Sequence, residues 1–78
     1  MKDYTPQVGD FLIYSSDNTP FFIEHIVKIT PTIITTKVVK VFHNQFINWL
    51  DTTLRYDKNT WNPKNYRPLT PIEKIKYL

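Results

Sequence analysis

The stretch that decides the fold is residues 21–42, FFIEHIVKITPTIITTKVVKVF, near the middle of the 78-residue chain. Ile, Val, Thr and Phe dominate it, and β-branched and aromatic side chains favour strands over helices. Thr30-Pro31-Thr32 interrupts the run, because Pro31 has a fixed φ and no amide hydrogen to donate to a strand ladder. The stretch therefore predicts an antiparallel hairpin of two strands, residues 21–29 and 33–42.

Alternation along these two strands divides their side chains between two faces. In the first strand, the odd-numbered residues from Phe21 to Ile29 form the apolar face. In the second strand the apolar residues change from even-numbered to odd-numbered positions between Val38 and Val39, so the pairing needs one extra residue. We therefore predict a β-bulge at residues 37–39, and such a bulge helps to curve a sheet into a barrel.

The segments on either side of the hairpin predict further strands. Residues 11–14, FLIY, form a β-rich run that the turn-forming residues 15–20 end. Residues 43–50 fit either a helix or a loop, and we favour a loop or single turn followed by a strand over residues 53–56. Turns are predicted at residues 57–60 and 62–65, and Pro68 keeps any strand through Arg67 short.

The end of the chain predicts a short helix. Thr70-Pro71-Ile72-Glu73 has the pattern of a capping box, with Thr70 as N-cap and Glu73 three residues later. Ile72, Ile75 and Leu78 would lie along one side of this helix. A helix of two turns is not stable alone, so we expect it to dock on the barrel.

Length and composition restrict the class of protein. Seventy-eight residues predict a single domain, 1–78, and 41% hydrophobic with 22% charged residues is typical of a folded chain. The absence of cysteine excludes disulfides and cysteine-based zinc sites, and a single glycine excludes a glycine-rich phosphate loop. The apolar runs are too short to span a membrane, and the first residues do not resemble a signal peptide. We therefore expect a small basic cytoplasmic protein, of net charge +3, that does not bind membranes.

Catalytic and metal-binding patterns are missing from the sequence. The seven acidic residues are scattered, mostly in predicted turns and caps. Glu24 and His25 are adjacent on a strand, where neighbours point to opposite faces, and we interpret His25 as a partly buried structural residue. His43 has no spacing to His25 that is typical of a metal site. The sequence therefore predicts a protein that is not an enzyme and has no cofactor and no metal.

Residues 58–68, KNTWNPKNYRP, are a first candidate binding feature. Two aromatic residues alternate with cations here, a pattern typical of proteins that bind single-stranded nucleic acid. An alternative interpretation is that Trp61 and Tyr66 close the open end of the barrel while the lysines are solvated. A nucleic-acid interface would use these residues: Lys37, Lys40, Lys58, Trp61, Lys64, Tyr66 and Arg67.

Surplus hydrophobicity is a second candidate feature. Some apolar residues of the first two strands have the wrong parity for a single small core, so the chain or a partner must cover them. Coverage within the chain is one interpretation, and a bound protein or a second copy of the chain is the other. The candidate partner-binding residues are Phe11, Ile13, Phe22, Ile26, Trp61, Tyr66 and Arg67.

Three motifs together resemble a known class of proteins. Val8-Gly9-Asp10 precedes the strand predicted at residues 11–14, and IVKITPTIITT forms the hairpin at residues 26–36. YRPLTPIE leads into the helix at residues 66–73. The pattern is similar to small SH3-like, KOW-like barrel proteins encoded by bacteriophages, and it covers most of the chain except residues 42–51. The resemblance implies an accessory protein in the host cytoplasm that binds host factors or nucleic acid, and some such proteins block host defence or transcription.

We therefore expect a mainly β fold: a five-stranded, partly open SH3-like barrel with a short C-terminal helix. The expected function is that of a non-enzymatic binding module which binds, and can inhibit, a host protein such as a defence or transcription factor. Self-association is a further expectation for the apolar surface. Nucleic-acid binding through the basic and aromatic loop is the alternative, although a net charge of +3 is modest for that role.

Overall fold

The computed structural model describes residues 5–17, 19–61 and 63–78, without the side chain of Pro63. Its five strands are β1 (Phe11–Ser16), β2 (Thr19–Ile29), β3 (Ile33–Val41), β4 (Thr53–Asp57) and β5 (Tyr66–Pro68). A 3-10 helix covers Asn44–Trp49, a short one covers Pro63–Asn65, and the α-helix α1 covers Pro71–Tyr77. The strands form one antiparallel sheet in the order β4-β3-β2-β1-β5. The fold is thus the predicted small, partly open five-stranded barrel with a short C-terminal helix.

The predicted hairpin and its bulge are both present. Strands β2 and β3 pair along most of their length, and Ile23 faces Lys40 whereas Glu24 faces Val38. Val39 is therefore the extra residue, which confirms the bulge predicted from the change of parity.

A second bulge, which was not predicted, changes which side chains of β2 point toward the core. The pairing skips Val27, which lies between Ile26 and Lys28, and Val27 is 42% exposed. Ile26 is completely buried, and Ile29 packs against the same core cluster. Because the bulge shifts the parity by one residue, Ile26 and Ile29 face inward together, although strict alternation places them on opposite faces.

Both faces of the sheet are covered, which accounts for the surplus of apolar side chains. The inner face holds one core cluster, formed by Leu12, Ile26 and Ile34. A second cluster lies on the other side of the sheet and contains Ile13, Ile23 and Leu69, with Tyr77 of α1 packed against it.

The sequence makes Phe11, Ile13, Phe22 and Ile26 candidates for binding a partner, with coverage within the chain as the other interpretation. Ile13, Phe22 and Ile26 are buried, so they belong to the core, and coverage comes from within the chain. Phe11 is half-buried and its ring stacks on His25 with centroids 4.2 Å apart. Of the three buried residues, Phe22 lines a pocket described below.

The ambiguous residues 43–50 form the longer 3-10 helix rather than a loop or a single turn. Its N-cap is His43, whose Nδ1 accepts a hydrogen bond from the backbone N–H of Gln45 at 3.3 Å. A 3-10 helix has three residues per turn, so Phe46 and Trp49 lie on the same side of it. The strand predicted after this segment is confirmed as β4.

Helix α1 begins with the predicted capping box but docks with a different face. Thr70 accepts from the backbone N–H of Glu73, and the Glu73 side chain accepts from the backbone N–H of Thr70. Tyr77 packs its ring on Phe42, with centroids 5.0 Å apart. The expectation that Ile72, Ile75 and Leu78 dock on the barrel is wrong, because all three are exposed.

Candidate functional site

An open pocket of about 320 Å³ lies where the inner face of the sheet meets the longer 3-10 helix. Seven of its nine lining residues are aromatic. The lining comprises Tyr14, Phe21, Phe22, Phe46, Trp49, Leu54, Arg55, Tyr56 and Tyr66.

One wall of the pocket comes from β2 and the 3-10 helix. The rings of Phe22 and Trp49 are stacked at 5.8 Å, and Phe46 meets Trp49 edge-on at 5.9 Å. Phe22 is buried, whereas Trp49 is 41% exposed. This wall therefore offers solvent a large aromatic face that the chain itself holds in position.

The opposite wall joins the two edge strands of the sheet. Tyr56 of β4 and Tyr66 of β5 point inward, and the hydroxyl of Tyr66 donates to the hydroxyl of Tyr56 at 3.3 Å. Tyr14 of β1 lies beside Tyr66, with ring centroids 5.0 Å apart. Side chains thus bridge the gap between strands that do not pair in the sheet.

A buried carboxylate lies behind this wall. Glu24 is completely buried, and its Oε1 accepts hydrogen bonds from the hydroxyls of Thr36 and of Tyr56, the latter at 3.0 Å. Its Oε2 has no hydrogen-bond partner among the described residues. Buried carboxylates in proteins are normally paired with a cation, whereas the hydrogen bonds to Glu24 come from two neutral hydroxyls, which is an unusual environment.

Burial and this carboxylate together raise the pKa values of both phenols. For Tyr66 burial is the larger cause and the negative charge of Glu24 the next. For Tyr56 burial again comes first; the hydrogen bond from Tyr66 opposes the increase, and the charge of Glu24 adds to it. Both tyrosines therefore keep their protons at neutral pH, and the field of Glu24 reaches the hydroxyls that line the pocket.

The predicted basic and aromatic loop is divided by the fold. Trp61 and Tyr66 are partly buried, lie with ring centroids 5.3 Å apart, and pack against the inner core cluster. This agrees with the interpretation that the two rings close the barrel. Arg67, the next residue of β5, forms two hydrogen bonds to Glu73 of α1 instead.

The lysines of the predicted nucleic-acid interface are spread over the surface. Lys37 forms an ion pair with Asp51 at 3.9 Å, and the Nζ of Lys40 lies 5.6 Å from the ring centre of Phe42. Two further members of the set are exposed, Lys58 and Lys64. None of these four lysines lines the aromatic pocket.

Of the predicted site residues, the structure brings Phe22 and Tyr66 together at the pocket. Sequence reasoning missed most of the remaining lining. The spacing of Phe46 and Trp49, three residues apart in a segment of uncertain structure, was the available signal for one wall. No comparable local signal marks Tyr56, because its place in the pocket depends on the pairing of β3 with β4.

The part of the chain that the structure describes holds no group of three or more His, Asp or Glu side chains placed to bind a metal ion. In the same residues, no helix has the length and apolar character required to span a membrane. Comparison of the chain with protein-family models, curated proteins and solved structures gives no match. An inference about function therefore has to start from the geometry of the pocket.

Proposed function

We propose that this protein is a non-enzymatic binding module that takes a side chain of a partner protein into the aromatic pocket. The observation that carries the proposal is Trp49, which lines an open pocket and remains 41% exposed although its ring contacts Phe22 and Phe46. Aromatic residues around a pocket are the usual anchors of protein interfaces, because they bury a large area at small entropic cost.

The titratable groups at the pocket favour binding over catalysis. Four titratable groups line the pocket, and two of them, the phenols of Tyr56 and Tyr66, have raised pKa values that keep them protonated at neutral pH. A general base must be able to lose its proton near the working pH, so neither phenol is suited to that task. The lining also contains the phenol of Tyr14 and the guanidinium of Arg55, and a guanidinium offers five N–H donors to a ligand.

The resemblance to phage-encoded barrels extends the proposal to the kind of partner. In this view the chain acts in the cytoplasm of a bacterial host and occupies, and so inhibits, a host protein of defence or transcription.

The experiment is affinity capture from a bacterial lysate treated with nuclease, using the wild-type chain and two variants. Trp49→Ala removes the exposed ring of the pocket. Ile47→Ala is the matched control, because Ile47 lies on the same 3-10 helix and is 55% exposed, but does not line the pocket. We expect Trp49→Ala to lower the captured amount of a given protein at least about tenfold, and Ile47→Ala to leave it unchanged.

Two outcomes would contradict the proposal. Equal capture by the wild type and Trp49→Ala would mean that the pocket does not carry the interaction. Capture that disappears on nuclease treatment would favour the alternative function, nucleic-acid binding, in which bases stack on the aromatic rings.

A further inference from the structure

Two features of the pocket both favour a positively charged ligand. Aromatic rings have a negative face, and seven of them surround the space. Behind Tyr56 and Tyr66 lies Glu24, whose Oε2 is completely buried and has no hydrogen-bond partner among the described residues. The charge of a buried carboxylate is poorly screened, so it stabilises a cation on the other side of the two rings.

The hydrogen-bonding capacity of the pocket restricts the kind of cation. Lysine and arginine carry three and five N–H donors, and each donor that loses water needs an acceptor. The lining offers few: the Tyr56 hydroxyl already accepts from Tyr66, and the Glu24 carboxylate lies behind the wall. A fully alkylated ammonium group has positive charge and no N–H, so it loses no hydrogen bond on entry.

We propose that the pocket binds a fully alkylated ammonium group, carried by a methylated lysine side chain of the partner protein. The inference rests on the proposed function, and specifies the chemistry of the group that enters. A cation in contact with the exposed ring of Trp49 and with the tyrosines of the lining gains cation–π energy, and Glu24 adds a charge contribution. Arg55 at the pocket opposes the cation, but its side chain is exposed and its charge is screened by water and salt.

The test compares two probes that differ only in charge, choline and 3,3-dimethylbutan-1-ol, in which carbon replaces the ammonium nitrogen. Binding is followed by NMR through the backbone amides of Phe22 and Tyr56, which line the pocket and which every variant retains, with probe concentrations up to about 10 mM. We expect choline to bind at least about threefold more tightly than the neutral alcohol. Trp49→Ala should abolish the binding of both probes.

Two charge variants locate the origin of the preference. Glu24→Gln keeps the shape of the side chain and removes its charge, so it should reduce the preference for choline about threefold. Arg55→Gln should raise choline affinity about twofold and leave the alcohol unaffected. Lys58→Gln is the control for net charge, since Lys58 is exposed and does not line the pocket.

A third arm uses a short peptide with one lysine, unmodified or trimethylated. Tighter binding of the trimethylated peptide supports a protein side chain as the source of the group, and equal binding overturns that assignment.

Equal affinity for choline and the alcohol, or no binding of either, overturns the preference for a cation. The proposed function fails separately, if capture of the partner is indifferent to Trp49→Ala. Because Arg55→Gln changes an exposed residue, it tests the charge effect even where Glu24→Gln does not fold.

Discussion

The guanidinium of Arg67 holds the carboxylate of Glu73 through two parallel hydrogen bonds, Nη1 to Oε1 at 2.6 Å and Nη2 to Oε2 at 2.7 Å. Arg67 belongs to β5 and Glu73 to α1, so the pair fixes the helix to the edge of the sheet. The same carboxylate accepts the backbone N–H of Thr70 as part of the capping box. One side chain thus caps the helix and anchors it.

This arrangement predicts a pH dependence of stability. The hydrogen bonds from Arg67, and then from the Thr70 backbone, lower the pKa of Glu73 from 4.5 to about 2. A carboxyl group with a depressed pKa in the folded state stabilises the fold above its unfolded pKa and loses that contribution as the pH falls to the folded value. We expect the Tm advantage of the wild type over Glu73→Gln to be constant above pH 5 and to shrink between about pH 4.5 and 2.

Thermal unfolding followed by circular dichroism measures that difference. Glutamine at this position can still complete a capping box, so Glu73→Gln removes the ion pair selectively. The pair is on the surface, and its contribution at neutral pH is therefore expected to be small, about 0.5 kcal/mol. A Tm difference that stays the same down to pH 2 would contradict this assignment.

The Tyr56 hydroxyl predicts a larger effect on stability. Tyr56→Phe removes a hydrogen bond to Glu24 and the acceptor for Tyr66, so that Thr36 is the one remaining hydrogen-bond partner of Glu24 among the described residues. Leaving buried polar groups unsatisfied costs about 1–3 kcal/mol of the free energy of unfolding. Urea denaturation is the measurement.

Tyr14→Phe is the matched control for this change. Tyr14 lines the same pocket, but its hydroxyl makes no hydrogen bond within the described residues. Equal unfolding free energies for the two variants would show that the hydroxyl chain from Tyr66 to Glu24 does not stabilise the fold.

Two isoleucines distinguish the core from the exposed side of α1. Ile26 is completely buried in the inner cluster, whereas Ile75 is 86% exposed. We expect Ile26→Ala to lower the free energy of unfolding by about 2–5 kcal/mol, because it leaves a cavity. Ile75→Ala is expected to change it by less than about 0.5 kcal/mol.

The same urea titration serves for both isoleucine variants, and each is the control for the other because the chemical change is identical. A large loss for Ile75→Ala would mean that a second chain covers α1 in solution. In that case its effect should depend on protein concentration, which the measurement at two concentrations would reveal.

Local chemistry made much of the fold predictable. The hairpin follows from the β-branched run and Pro31, the Val39 bulge from a change in apolar parity, and the start of α1 from its capping box. Which side chains of β2 point toward the core was not predictable in this way, because the alternation of apolar residues along the strand gives no sign of the bulge at Val27.

The pocket was predictable only in part, for a related reason. Phe22 and Tyr66 were candidates for binding, but as members of two separate surfaces rather than of one concave site. Their union depends on how the 3-10 helix folds back over β2, which is a tertiary contact between segments of uncertain local preference. Other tertiary contacts bury Ile13 and Ile26, since Ile13 packs with Ile23 and Leu69, and Ile26 packs with Leu12 and Ile34.

The pairing of β1 with β5 has a consequence for the order of folding. It joins Leu12 to Pro68 and Tyr14 to Tyr66, so the first strand finds its last neighbour only after a loop of more than fifty residues has closed. The β2–β3 hairpin is local and can form early, whereas contacts this distant in sequence form slowly. During synthesis on the ribosome, the hairpin can therefore exist well before the aromatic walls meet, and the pocket forms last.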